Sequence, residues 1–68
     1  MVTPTSDEIL RTALEKETQA YDFYAELAAL CTVEYVKDLL LKLQNEEAKH
    51  MRMIQNMLGR LQAGKTLF

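Results

Sequence analysis

The sequence has little of several residue types on which small proteins depend for stability. Its 68 residues include one cysteine, one proline, two glycines and no tryptophan. A single cysteine excludes a disulfide within the chain. A domain of this size rarely buries enough apolar surface to be stable without a disulfide, a metal ion or a partner chain. Metal binding and association with other copies are therefore the sources of stability that remain.

Clusters of basic residues and long apolar runs are also missing. The formal net charge is −2 and the eight lysines and arginines are scattered singly, so no basic patch for nucleic acid is evident. The longest aliphatic run, Leu39 to Leu41, is far shorter than the roughly 20 residues of a membrane span. The N-terminus lacks the basic and apolar regions of a secretory signal. The sequence thus predicts no nucleic-acid partner, no membrane insertion and, with its single thiol, a reducing cytoplasmic setting.

Glycine and proline are absent from residues 6–58, and apolar residues recur there at helical spacing. Thr5 and Glu8 fit a capping box at the start of a helix over about 6–30. The pattern resets near Thr32, which predicts a second helix over about 33–61, with Gly64 as its C-terminal stop and a short tail. We therefore expect one all-α domain over residues 1–68, a two-helix antiparallel hairpin. One continuous helix is the alternative.

Three ionisable residues interrupt the apolar stripes of these helices. In helix 2 the four-three spacing runs through 36, 40, 43, 47, 50, 54, 57 and 61, and only Glu47 and His50 are polar there. In helix 1 the corresponding stripe is interrupted only by Glu17. Facing residues of this antiparallel hairpin have numbers that add up to about 64, so Glu17 is expected to lie level with Glu47. The two helices thus place two carboxylates and an imidazole in one layer.

Ionisable side chains on a packed stripe must be paired, protonated or bound to a metal ion. We predict that Glu17, Glu47 and His50 are metal ligands. Further apolar residues lie outside the inner stripes and predict self-association, as a homodimer or a higher homo-oligomer. Two hairpins would form a ferritin-like four-helix bundle with four carboxylates and two imidazoles at its centre, the ligand set of di-iron and di-manganese bundles. Oxygen-rich ligation favours iron or manganese, with zinc also open.

The residues around these ligands resemble a known family. The segment Glu17-Thr-Gln-Ala20-Tyr-Asp22-Phe23-Tyr24, together with Glu47-Ala-Lys-His50, is similar to the rubrerythrin branch of the ferritin-like superfamily, most closely its half-length members, the encapsulated ferritins. The resemblance implies iron binding by Glu17, Glu47 and His50, with Tyr24 as a hydrogen-bonding residue beside the ligands. It implies a ferroxidase that oxidises Fe(II) with O₂ or H₂O₂, for iron storage or oxidative-stress protection. It also suggests a place inside an encapsulin-type shell, a protein nanocompartment.

Several alternatives stay open from the sequence. The polar layer would equally suit a non-catalytic helical association module, in which it sets the register of the helices or holds a structural metal. A rubrerythrin-like peroxidase would use the same ligands with H₂O₂ as the oxidant. For Tyr24, simple packing is the alternative role. A further hypothesis is that the chain is a fragment of a longer protein.

Overall fold

The computed structural model describes residues 3–67, with side chains described for residues 3–64. It contains two helices, α1 (Ser6–Leu30) and α2 (Glu34–Leu67), which pack against each other, and no strand occurs in the described part of the chain. The predicted all-α hairpin is confirmed, and the alternative of one continuous helix is wrong. Between residues 3 and 67, neither helix has an apolar stretch long enough to cross a membrane.

Helix α1 begins at the predicted capping residue. The Thr5 hydroxyl oxygen accepts a hydrogen bond from the Glu8 backbone N–H at 3.1 Å, and the hydroxyl donates to the Glu8 carboxylate at 3.2 Å. One turn later, Arg11 Nε donates to Asp7 Oδ2 at 2.7 Å. This hydrogen bond, together with the attraction between the two charges, raises the pKa of Arg11. Side chains of the first turn thus satisfy the helix start that the sequence predicted.

The turn lies where the apolar pattern resets. Cys31 has an extended backbone, and its N–H donates to the Ala28 carbonyl at 3.3 Å. The Val33 carbonyl accepts hydrogen bonds from the N–H groups of Val36 and Lys37, at 3.1 and 2.9 Å. Helix α2 therefore begins one residue later than predicted. The Val33 carbonyl accepts hydrogen bonds from N–H groups of the first turn, where the sequence predicted a cap by the Thr32 side chain.

Helix α2 is longer than the sequence suggested. It has 34 residues and continues through Gly59 and Gly64 to Leu67, so the prediction of a stop at Gly64 was wrong. A glycine ends a helix when its backbone adopts the left-handed conformation. None of the described glycines has a positive φ, which explains why the helix continues. Of the expected tail, residues 65–67 are helical and Phe68 lies outside the described residues.

The hairpin is one helix layer thick and encloses almost no core. Its extents are 53 × 28 × 11 Å, and the shortest is close to the roughly 10–12 Å diameter of a single helix. Among the described residues, only Ala28 is buried, at 3 % exposure. The α1 stripe is half-buried or buried against α2, as expected. A single chain therefore packs one side of each helix and leaves the other sides to solvent.

The packed line on α2 differs in part from the predicted stripe. Met51 and Leu58 are half-buried, whereas Val36, His50 and Met57, which were expected on the packed stripe, are exposed. The prediction for these three residues was wrong for a single hairpin. A four-three spacing repeats every 3.5 residues on average, whereas a straight helix has about 3.6 residues per turn, so the stripe drifts around the helix.

Most of the exposed large apolar side chains lie on one side of the hairpin, which we call the open face. On each helix they form a second stripe, displaced from the packed stripe toward lower residue numbers. Because the helices run in opposite directions, this displacement points to the same side of the hairpin on both. Exposed side chains on this face include Ile9 (54 %), Phe23 (55 %), Leu30 (80 %), Leu39 (55 %), Met53 (68 %) and Met57 (43 %).

Candidate metal centre

The three predicted ligands come together near the middle of the hairpin. Glu17 lies in the centre of α1, and Glu47 and His50 lie one turn apart in α2. His50 Nδ1 is 3.4 Å from Glu17 Oε2 and 3.4 Å from Glu47 Oε2. The predicted convergence of Glu17 with Glu47 and His50 is therefore found. Their role as metal ligands stays a prediction.

The contacts within this group are loose for hydrogen bonds. Distances of 3.4 Å exceed the usual N–H···O separation of about 2.9–3.0 Å. A single proton on Nδ1 can point well at only one of the two carboxylates, and the two carboxylates repel each other. Protein contacts alone therefore satisfy this layer only in part. A cation between the three side chains would neutralise the carboxylates and accept the imidazole lone pair.

The donor set fits a divalent cation. One donor atom from each of the three side chains lies within 4.8 Å of the others. Two ligands about 2.1 Å from the same ion at a right angle lie about 3 Å apart, so small rotamer shifts would bring the observed 3.4 Å contacts to ligation distance. Between residues 3 and 67, no other group of three His, Cys, Asp or Glu side chains is placed to hold an ion.

The site is open on the same side as the exposed apolar residues. The exposed fraction of the side chain rises from 16 % for Glu47 to 31 % for Glu17 and 46 % for His50. His50 belongs to the open-face stripe of α2, together with Leu39, Leu43, Met53 and Met57, which recur at intervals of three, four or seven residues. His50 is thus the least covered of the three side chains, on a side of α2 that carries exposed apolar residues together with Glu46.

Two residues near the site have other contacts. The ring of Tyr24 lies beside that of Phe23, with centroids 5.7 Å apart and planes tilted by 56°. The hydrogen bonds of the described residues do not join Tyr24 to any of the three ligands, so its expected role beside the ligands stays a prediction. Glu46, next to Glu47, forms an exposed ion pair with Lys49 at 3.1 Å. Glu46 lies one turn before His50 on the same side of α2, and the hydrogen bonds and ion pairs of the described residues do not join it to the three ligands.

Comparison with known proteins agrees with this arrangement. The family model described as Rubrerythrin matches residues 8–68, which is most of the chain and includes all three candidate ligands. Neither the curated proteins nor the solved structures contain a match to this chain. Rubrerythrins typically bind iron, and a Glu/Glu/His group is present here in the middle of the matched region. On the extent of this match, the chain belongs to the rubrerythrin family.

Proposed function

We propose that two copies of this chain face each other through the open face and complete a di-iron site, at which Fe(II) is oxidised to Fe(III) by O₂ or H₂O₂. The observation that carries this proposal is the convergence of Glu17, Glu47 and His50 directly beneath an exposed apolar face. One hairpin supplies three ligating side chains. A second copy doubles them to four carboxylates and two imidazoles, which is the ligand set of ferritin-like di-iron bundles.

The exposed area supports pairing of chains. The accessible surface of the single hairpin is 5496 Å², whereas a compact monomer of this mass exposes about 4,400 Å². The difference, about 1,100 Å² per chain, corresponds to about 2,200 Å² for a pair of chains, within the range of obligate homodimers. The apolar character of the open face fits the same interpretation, since obligate interfaces resemble the interior of a domain. Pairing would also cover His50, the most exposed of the three ligands.

The chain's own residues have distinct roles in this site. Glu17 and Glu47 would supply carboxylate oxygens that compensate the charge of the cations. His50 would supply Nδ1 as a neutral donor, which requires the tautomer that carries its proton on Nε2. When bound, iron supplies one-electron redox chemistry, each Fe(II) losing one electron to the oxidant. The apolar residues around His50 would limit access of water to the paired layer.

Tyr24 is proposed as a positioning residue. It lies on the same stripe of α1 as Glu17, seven residues and about two helical turns toward the interhelical turn. A rotamer change that separates its ring from Phe23 would direct its hydroxyl toward the paired layer. There it would hydrogen-bond a ligand carboxylate or the oxidant.

Anaerobic titration with Fe(II), followed by exposure to O₂ or H₂O₂, tests the proposal. We expect saturation at one iron per chain, formation of a dimer measured by native mass spectrometry, and rapid growth of ferric absorbance with either oxidant. The faster of the two oxidants distinguishes a ferroxidase from a rubrerythrin-like peroxidase. Glu17→Gln and His50→Ala should abolish both iron binding and oxidation.

Glu26→Gln is the matched control, because Glu26 is an exposed acid of the same helix that forms no ion pair among the described residues. It should bind and oxidise iron like the unmodified chain. Absence of iron binding in the unmodified chain, or equal oxidation by Glu17→Gln and Glu26→Gln, would contradict the proposal. The polar layer would then be a structural element of a helical association module.

A further inference from the structure

Two methionine side chains of α2 place their sulfur atoms on the open face. Met53 is 68 % exposed and Met57 is 43 % exposed, and they follow His50 by three and seven residues. This spacing puts both methionines on the side of α2 that carries His50. Met51, in contrast, is half-buried on the packed line of α2. The open face therefore offers two accessible thioethers within about two helical turns of a candidate metal ligand.

The other sulfur atoms of the chain are less accessible or lie elsewhere. Cys31 is half-buried at the turn, where its thiol donates to the Val33 carbonyl at 3.5 Å. Met53 is level with the first turns of α1, at the other end of the hairpin. Met1 lies outside the described residues. Because a thioether carries no proton in water, its reaction with an oxidant depends mainly on access to the sulfur. Among the described sulfurs, access is greatest at Met53 and Met57.

Methionine at these positions has a chemical property that leucine lacks. For packing alone the two residues are nearly interchangeable, since they are apolar and of similar volume. Oxidation of the thioether, however, produces a sulfoxide, which is polar and whose oxygen requires a hydrogen-bond donor. On a surface that a second chain covers, such a group loses its hydration and opposes association. One oxygen atom added to either sulfur would thus change an apolar contact into an unfavourable one.

We propose that Met53 and Met57 are sites of oxidation by hydrogen peroxide, and that their oxidation prevents two copies from pairing through the open face. The sulfur gives an electron pair to one peroxide oxygen, so an S–O bond forms and the O–O bond breaks. The second oxygen leaves as hydroxide and takes the proton from the transferred oxygen, which gives water. The sulfur is oxidised by two electrons and the peroxide is reduced. This inference rests on the pairing in the proposed function and adds a modification that controls it.

Pairing in turn controls access to these sulfurs. In the single hairpin both are open to solvent, whereas a second copy on the open face would cover them together with His50. Peroxide therefore oxidises chains that have not yet paired, and a pair that has already formed protects its methionines. Oxidation withdraws unpaired chains from assembly of the proposed site, a redox-sensitive change of a contact surface.

Treatment of the metal-free full chain with hydrogen peroxide, followed by peptide mass mapping, tests the assignment of the sites. In dilute solution, Met53 and Met57 should each gain one oxygen atom at least about tenfold faster than the half-buried Met51. Prior addition of Zn(II), which peroxide does not oxidise, or a high protein concentration should slow the reaction by promoting pairing. Equal rates at Met51 and Met53 would overturn the assignment.

Sedimentation equilibrium of the treated chain tests the effect on pairing. Oxidation should raise the dimer dissociation constant at least about tenfold, because polar oxygens are added to a covered apolar surface. Met53→Gln places an amide oxygen near the position of the sulfoxide oxygen and should weaken the dimer without peroxide. The double variant Met53→Leu/Met57→Leu should dimerise like the unmodified chain and keep its dimer after treatment.

Met51→Leu and Cys31→Ser are the matched controls. Each removes one other oxidisable sulfur and should leave the dimer as sensitive to peroxide as that of the unmodified chain. Loss of sensitivity in either control, or a dimer that survives complete oxidation of Met53 and Met57, would overturn the inference while leaving the proposed function intact. A chain that never dimerises, with or without metal, would contradict both proposals, so the two failures are distinguishable.

Discussion

At the scale of single residues, the polar layer of Glu17, Glu47 and His50 is expected to lower the stability of the folded chain when no metal is bound. Glu47 is largely covered and Glu17 is about two-thirds covered even in one hairpin, and pairing through the open face would cover them further. Carboxylates in a desolvated layer repel each other and lose hydration, which costs several kcal/mol unless cations compensate them. A polar layer that lowers stability is typical of a metal-binding site rather than of a packed hydrophobic core.

Glu17→Leu tests this balance. Without metal, the substitution should raise the free energy of unfolding by on the order of 1 kcal/mol, because a half-buried charge is replaced by an apolar side chain of similar volume. Addition of Mn(II), which is not oxidised under these conditions, should then no longer raise the melting temperature. Thermal unfolding followed by circular dichroism measures both effects.

Glu26→Leu serves as the control for that substitution. Its side chain is exposed on the outer edge of α1, so the free energy of unfolding without metal should change little and the stabilisation by Mn(II) should persist. A lower melting temperature for metal-free Glu17→Leu than for the unmodified chain would contradict our interpretation. The layer would then stabilise the fold by its own hydrogen bonds.

At the scale of the helices, α2 is the element whose length the sequence least predicted. Gly59 and Gly64 lie within it in helical conformation, and a Cβ atom built on either would meet nothing within 4 Å. Glycine in a helix interior costs about 0.5–1 kcal/mol relative to alanine, because it loses more backbone freedom on folding. The packing of Leu58 against α1 and the backbone hydrogen bonds of α2 offset this loss at the two glycines.

Gly59→Ala should therefore stabilise the protein. We expect a gain of about 0.5–1 kcal/mol, which corresponds to a rise of a few degrees in the melting temperature of a domain of this size. Gly64→Ala is the matched comparison and should give a smaller gain, because Gly64 lies in the last turn of α2, where helices fray. Destabilisation by Gly59→Ala would show that another chain packs closely against this glycine in the assembled protein.

At the scale of the whole molecule, the hairpin is a layer rather than a globule. With one buried residue among those described, the single hairpin has little core, and we expect much of its stability to come from a second copy on the open face. The proposed site also needs a second copy, since one hairpin supplies only three ligating side chains. Fold stability and metal binding should thus depend on the same contact between chains.

Leu39→Glu and Leu41→Glu form a matched pair that tests this contact. Leu39 is 55 % exposed on the open face, whereas Leu41 is 45 % exposed on the opposite side of α2, which it shares with Ala48 and Gln55. Leu39→Glu should shift the dimer toward monomer by at least about tenfold in dissociation constant and reduce iron oxidation, although no ligand is changed. Leu41→Glu should do neither.

Sedimentation equilibrium, together with the rate of Fe(II) oxidation, gives the measurement for this pair of variants. If both variants dimerise like the unmodified chain, the open face does not join two copies. If Leu39→Glu is monomeric but oxidises iron at the original rate, one hairpin suffices for the reaction and the proposal of a shared site fails.

Much of the fold was predictable from the sequence, because the relevant signals are local. The capping residue Thr5, the absence of glycine and proline and the four-three spacing are short-range features that act within one helix. They located α1 and the turn to within one residue. The level of Glu17 with Glu47 also followed from counting along the chain, since an antiparallel hairpin has a fixed geometry once its turn is located.

Local signals did not determine the end of α2 or the sides of the helices that pack together. The helical conformation of Gly64 depends on how much of α2 is packed along α1. The half-burial of Met51 in place of His50 depends on the angle at which the two helices cross. The sequence by itself determined two helices and a layer of three ionisable residues. Only the tertiary structure decided that this layer opens on the side of the hairpin that carries the exposed apolar residues, because this feature arises when the antiparallel helices are brought side by side.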